Sequence, residues 1–162
     1  MRGPEIRPMT QADIPAAARL EAACFSTPWS EDAFRSAFAG GVTRFFAAEE
    51  AGQVVGYIGL QMIWDEGFVT NLAVCPGSRR QGIGRALLEA ALEAGREAGL
   101  ATLSLEVRPS NLPALSLYRQ KGFQEAGRRK NFYSKPPEDG LIMTYTYTDT
   151  KEASARADTN RP

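Results

Sequence analysis

The stretch from Phe68 to Ala98 constrains this chain more than any other. An apolar run, Phe68 to Val74, is stopped by Pro76 and Gly77. A basic, glycine-bearing segment follows, Arg79-Arg80-Gln81-Gly82-Ile83-Gly84-Arg85. It leads into a helix-period pattern with Leu87, Leu88, Ala91 and Leu92 on one face, closed by Gly99. A strand that turns through glycines into a long amphipathic helix has to bury that helix's apolar stripe against a sheet.

The rest of the chain supplies the sheet. Glu5 to Thr10 reads as an opening strand, and Thr10-Gln11-Ala12-Asp13 as a capping box starting a helix to Phe25, with Pro15 in its first turn. Ser30, Glu31 and Asp32 cap a second helix that ends at Gly40-Gly41. Thr43 to Glu50 and Val54 to Asp65 read as strands around the turn Ala51-Gly52-Gln53, and Asp65-Glu66-Gly67 turns into the strand Phe68 to Val74. The long helix spans about Gly82 to Ala98. A buried-looking strand, Ala101 to Val107, precedes a helix from Ser110-Asn111 to Lys121 with Pro113 in its first turn. Phe123 to Ser134 and Leu141 to Thr148 close the pattern around the loop Lys135 to Gly140. The order β-α-α-β-β-β-α-β-α-β-β predicts an α/β chain: one mixed sheet, antiparallel at first and partly parallel where helices connect strands. Residues 1–148 are expected to form one domain, and the polar, aperiodic residues 149–162 a disordered tail.

Composition narrows the chemistry. With 162 residues and 43% hydrophobic content, the chain suits one domain with one core. Lys plus Arg equals Asp plus Glu, 19 each, which argues against a bulk nucleic-acid binder. Histidine is absent, which removes Ser-His-Asp triads, Cys-His dyads and histidine metal sites. The two cysteines, Cys24 and Cys75, form neither a disulfide framework nor a zinc pattern. No apolar leader opens the chain and no run approaches the ~20 residues that span a bilayer, so a cytoplasmic protein is expected, free of membrane.

The segment 79–85 has the parts of an anion cradle. A helix start presents unpaired N–H groups and partial positive charge, glycines let backbone approach an anion, and arginines add bidentate donors. It is not a Walker loop, which needs G-x-x-x-x-G-K-[ST]. It is not a dinucleotide fingerprint either, because Leu87 stands where the third glycine belongs and seven residues, Cys75 to Gln81, separate it from its strand. A solvated basic turn is the plain alternative.

RRQGIG resembles the [RQ]-x-x-G-x-[GA] pyrophosphate loop of the GNAT acetyltransferase superfamily, and the likeness extends over roughly residues 5–147. That resemblance implies a mostly antiparallel seven-stranded sheet flanked by about four helices, with acetyl-CoA as acetyl donor and no metal. It also implies a β-bulge in the strand before the loop, and a splayed gap in which the pantetheine arm bonds strand backbone. Residues Leu72, Ala73, Val74, Arg79, Arg80, Gln81, Gly82, Ile83, Gly84 and Arg85 would then bind the cofactor. Leu72, Ala73 and Val74 could equally be sheet core.

Glu106 interrupts the apolar strand, and Tyr118 follows twelve residues later on the next helix. Buried glutamates are rare unless paired or functional. A glutamate salt-bridged to Arg108 or Arg129, and a tyrosine filling the core, are the plain readings. LEVR-x-SN followed by LY and GF closely resembles the RimI group of GNAT enzymes, protein-N-terminal-alanine acetyltransferases that modify a small-subunit ribosomal protein. FSTPWSE and RRKNFY extend the likeness. On it, Glu106 is the general base, Tyr118 the general acid, and Asn111 a cofactor ligand. The residue types suit an α-amine, whose reference pKa of ~7.8 against ~10.4 for lysine saves about 3.5 kcal/mol of deprotonation. Related enzymes grip the peptide with two loops, here Phe25 to Ser30 and Tyr133 to Gly140, so Trp29 and Tyr133 are candidate acceptor contacts, and Glu66 could meet a positive substrate; each could equally be structural. A monomer is expected. Lysine or small-amine acetylation, and a non-catalytic acyl-CoA-binding module, remain as alternatives.

Overall fold

The computed structural model describes residues 3–79 and 81–147. Its strands are β1 (Glu5–Pro8), β2 (Thr43–Glu50), β3 (Gln53–Ile63), β4 (Glu66–Val74), β5 (Thr102–Val107), β6 (Gln124–Ser134) and β7 (Pro137–Thr146). They form one sheet in the order β1-β2-β3-β4-β5-β7-β6. Only β4 and β5 run parallel, joined by a crossover through the long helix. The helices are α1 (Ile14–Cys24), α2 (Glu31–Gly40), α3 (Ile83–Glu97) and α4 (Leu112–Gln120), with 3-10 turns at Gln11–Asp13 and Pro76–Ser78. This is the mixed, mostly antiparallel seven-stranded sheet with four helices that the sequence predicts. The tail from 149 lies outside the described residues.

Each face of the sheet carries its own core. Ile83, Leu87, Leu88, Ala91 and Leu92 of α3, with Leu115 and Tyr118 of α4, pack on Ile58, Leu60, Leu103, Leu105 and Val107. Ile14, Ala17 and Leu20 of α1 and Phe34 of α2 pack on Phe45, Ala47, Tyr57 and Ala73. On the second face β5 carries Ser104 and Glu106, neither of them in this core.

The decisive local feature is where β4 and β5 stop pairing. Their ladder holds only Glu66↔Thr102, Gly67↔Leu103 and Phe68↔Ser104. Beyond it β4 stays with β3, and β5 with β7. Opposite β3, Gly59 pairs Asn71 and Leu60 pairs Val69, so Thr70 is an extra residue, a bulge of the kind that bends a strand and sharpens its twist. It also shifts the alternation. Val69 packs toward α3, and so do Leu72 and Val74, while Ala73 packs toward α1.

Element boundaries depart from the sequence reading where a residue's usual habit is overridden. The β3–β4 turn is Trp64-Asp65, with Trp64 at φ 56°, and Glu66 and Gly67 already belong to β4. Gly67 is there because a Cβ would lie 2.5 Å from Leu100 Cδ1, not to make a turn. The expected loop Lys135 to Gly140 shrinks to Lys135 and Pro136. Glu138 and Asp139 sit in β7 because Ser110 and Arg108, and Asn131 and Arg128, satisfy their carboxylates. The strand β5 is buried on one face only, alternating half-buried and buried.

Gly59 faces the bulge. A Cβ there would meet Thr70 Oγ1 at 2.4 Å and Phe45 Cε1 at 2.9 Å. Gly59→Ala should lower stability by about 1–3 kcal/mol, roughly 3–10 °C in Tm. Gly40→Ala, with nothing within 4 Å of its Cβ position, should leave Tm unchanged or slightly raised. Thermal unfolding of the two variants checks the contrast.

Candidate active site

The divergence of β4 and β5 opens a cleft of about 920 Å³. Strand residues Phe68–Leu72 and Ser104–Arg108 form its floor, the segment from Cys24 to Trp29 one wall, and Phe132–Pro136 the other. Of the candidates named from sequence, Leu72, Glu106, Asn111, Tyr118, Trp29 and Tyr133 all line it.

Glu106 and Tyr118 come to it from opposite faces of the sheet. Tyr118 packs in the α3–α4 core at 7% exposure, its ring 5.9 Å from Phe123, and reaches the cleft through the gap. Burial, with the charge of Tyr133 adding to it, pushes its hydroxyl up to about 12. Glu106 lies on the other face beside Ser104. Its Oε1 meets Arg129 Nε at 3.3 Å, one of the two ion pairs considered from sequence. Its Oε2 is buried and has no hydrogen-bond partner among the described residues. Tyr133 is also shifted upward, by burial first and by the Glu106 charge second. Both tyrosines therefore keep their protons through neutral pH.

Backbone polarity in the gap follows from register. Cys75 donates its N–H to Val55 O at 2.7 Å. Strand alternation then turns the N–H groups of Leu72 and Val74 away from β3, toward the open edge. The Val74 carbonyl is taken by Arg79 Nε at 3.2 Å and by the Cys24 thiol at 3.5 Å.

The glycine segment stands at the end of the same strand. Gly82 caps α3 at φ 80°, a left-handed conformation that favours glycine, and a Cβ there would have nothing within 4 Å. A Cβ on Gly84 would stand 3.9 Å from Val74 Cγ2 and 4.0 Å from Leu117 Cδ2, so the helix start lies between β4 and α4. Ile83 is buried in the core and offers only its amide. Arg85 reaches Gln120 Oε1 at 2.5 Å, Arg79 folds back on Val74 and Cys24 Sγ, and Gln81 is exposed. Arg80 lies outside the described residues. Ala73 is buried toward α1 and does not line the cleft, and neither does Glu66, two residues before Phe68 where β4 and β5 are still paired. Asn111 caps α4, accepting from Ala114 N at 3.3 Å.

Several contacts here escaped the sequence reading. Glu21, 1% exposed, accepts from Trp29 N at 2.9 Å, from the Tyr57 hydroxyl and from Asn71 Nδ2 at 3.3 Å. A signal for it existed, because Glu21 occupies the apolar stripe Ile14, Ala17, Leu20 of α1. Arg108 lies 4.2 Å from the Tyr133 ring centroid and donates to the carbonyls of Pro136 at 2.8 Å and Lys135 at 3.1 Å. Ser26 Oγ donates to Lys135 O at 2.8 Å, joining the two walls. Trp29 also packs on Phe34 and Phe45, centroids 5.3 and 6.4 Å away, so it serves the core as well as the cleft.

Comparison with known proteins agrees with this architecture. Residues 14–123 match the family described as "Acetyltransferase (GNAT) family". A putative [ribosomal protein bS18]-alanine N-acetyltransferase of Bacillus subtilis is 37% identical over 145 residues, 89% of this chain and 96% of that protein. The crystal structure of the ribosomal-protein-S18-alanine N-acetyltransferase from Escherichia coli superposes with a TM-score of 0.82 at 38% identity, covering 88% of this chain and 93% of that one. A GNAT family acetyltransferase from Elizabethkingia anophelis with acetyl-CoA bound shares the fold, with a TM-score of 0.76 at 19% identity over 91% of this chain and 100% of that one. The split sheet, the glycine-capped helix at its mouth and these likenesses together make this chain a member of the GNAT acetyltransferase family.

Proposed function

We propose that the chain transfers acetyl from acetyl-CoA to the α-amine of a protein N-terminus, with the N-terminal alanine of a small-subunit ribosomal protein as the natural acceptor. The observation that carries this reading is the β4–β5 gap, which joins the amides at the start of α3 to a cleft holding an unpartnered carboxylate oxygen and a protonated tyrosine. The acceptor class is supported by the names of the Bacillus subtilis and Escherichia coli relatives.

The residues present fit acetyl-CoA. Open space beside Gly82 and the unpaired amides of the first turn of α3 suit a pyrophosphate, and Arg79 and Arg85 add charge nearby. The Leu72 and Val74 N–H groups face the gap where an amide-bearing arm would lie. Bound there, acetyl-CoA supplies the activated acetyl group. Glu106 takes a proton from the attacking amine, directly or through a water, and Tyr118 returns one to the leaving sulfur. The Val74 N–H, turned to the gap, stabilises charge that develops on the acetyl oxygen. The ion pair with Arg129 engages Glu106 Oε1, and Oε2 has no hydrogen-bond partner among the described residues. No helix among the described residues is long and apolar enough to cross a membrane.

Side-by-side turnover of a peptide beginning with alanine, an N-terminally blocked lysine peptide and a polyamine tests the acceptor class. The alanine peptide should be preferred, and preference for either of the others overturns the assignment. Glu106→Gln and Tyr118→Phe should each slow the chemical step about 10²–10⁴-fold with acetyl-CoA affinity largely kept. Single-turnover rates alongside calorimetric binding separate the two effects.

Gly82→Val forces a β-branched residue into a left-handed conformation and fills the open space beside α3. It should weaken acetyl-CoA binding roughly tenfold or more, equivalent to ~1.4 kcal/mol. Gly77→Ala, at another open glycine, should leave it unchanged.

The pH dependence has a definite sign. The donor form of Tyr118 is the protonated one, and raising its pKa to about 12 extends that form upward. The rate with an alanine peptide should climb as the amine deprotonates near pH ~8 and hold to about pH 11. A decline beginning near pH ~10, where an ordinary tyrosine ionises, contradicts the assignment.

A further inference from the structure

Asn71 holds a polar atom whose direction is dictated from below. It is 8% exposed and Glu21 beneath it 1%. The Glu21 carboxylate accepts the Trp29 N–H on Oε1, and the Tyr57 hydroxyl and Asn71 Nδ2 on Oε2. A carboxylate offers no proton to an amide oxygen, so Asn71 must face it with its nitrogen. Its Oδ1 is thereby turned away from Glu21. That oxygen is buried and has no partner among the described residues. Asn71 lines the cleft from the β4 side of the gap, while Glu106, whose Oε2 is in the same condition, lines it from the β5 side.

Resting on the acetyl-transfer reading, we propose that Asn71 Oδ1 accepts a hydrogen bond from the incoming amine, which makes Asn71 a substrate-positioning residue held in orientation by Glu21. A neutral primary amine has two N–H bonds and one lone pair. With one N–H on Asn71 Oδ1 and the other directed to the Glu106 side, the lone pair is left to point along the gap at the thioester carbon. In that encounter the amine forms the new C–N bond, the C–S bond breaks, and the amine proton leaves toward Glu106. Asn71 exchanges no proton and fixes only direction. The arrangement also selects for N–H bearing acceptors, because a substrate without that donor leaves a buried oxygen unpaired.

The network supplies two variants. Asn71→Leu removes the oxygen at similar volume. Glu21→Gln keeps its own oxygen on the Trp29 N–H, presents nitrogen to Asn71, and so turns Oδ1 inward and Nδ2 toward the cleft. Two ligands report the contact: a peptide beginning with alanine, and the same peptide with hydrogen in place of the amine, used as a competitive inhibitor. Both variants should raise KM for the alanine peptide by about two- to tenfold, the worth of one hydrogen bond between neutral groups. KM for acetyl-CoA should not change, and Ki for the amine-free peptide should hold or fall, since no buried oxygen is left unpaired beside it. If Asn71→Leu fails to fold by thermal melting, Glu21→Gln decides. A parallel rise in KM for acetyl-CoA would overturn the proposal and assign Asn71 to the donor arm. Equal weakening of both peptides would overturn it as a merely structural effect. A wild-type chain inactive on every amine defeats the acetyl-transfer reading itself, a result distinct from an active wild type whose variants keep the same KM.

Discussion

Everything functional in this fold depends on two parallel strands parting after three paired residues. Up to Phe68 and Ser104 the sheet is continuous, and beyond them β4 and β5 each keep only one neighbour. The unpaired backbone edge that results would be a liability in an ordinary sheet. Here it faces a cleft. The Thr70 bulge drives the bend, and the room for it comes from Gly59 on β3, where any side chain would strike Thr70 and Phe45. Room for the opening of the cleft is thus encoded on a strand that does not line it.

The gap also brings side chains from opposite faces of the sheet to one cleft. Tyr118 belongs to the core beneath α3 and α4, Glu106 to the part of the opposite face outside the α1–α2 core, and a closed sheet would keep them apart. Polar ties organise the open side. Arg108 holds the carbonyls of Lys135 and Pro136 and lies over Tyr133, Glu138 accepts from Ser110 N at 2.7 Å, and Ser26 links the far wall to Lys135. These bonds connect the start of α4, the β6–β7 turn and the α1–α2 segment, so the cleft walls are set by backbone contacts and not by apolar packing alone.

Much of this could be read from the chain. The α3 stripe, the glycine-rich start of that helix and the two hairpins follow from periodicity and turn chemistry, and the order of elements predicts the sheet. Glu106 and Tyr118 line one cleft, in keeping with their reading as a pair. What was hidden has physical reasons. Gly67 reads as a turn because glycine usually signals one, whereas here close packing on Leu100 requires it. Glu138 and Asp139 read as loop because their partners, Ser110 and Asn131, are distant or belong to another element. Glu66 is a candidate by its charge, and charge alone does not show that it stands off the cleft, where β4 and β5 are still paired. Asn71 looked ordinary and Glu21 stood out only as an acid on an apolar stripe, because their shared network forms only when α1, β3 and β4 meet.

On the proposed function, backbone amides at the start of α3 and along the free edge of β4 receive a single extended thioester ligand. Amide chemical shifts of the isotope-labelled protein, titrated with coenzyme A, test it residue by residue. The largest changes should fall on Gly82, Ile83 and Gly84 together with Leu72 and Val74, saturating with one dissociation constant. Saturable binding that leaves those five amides unmoved while shifting others would contradict it.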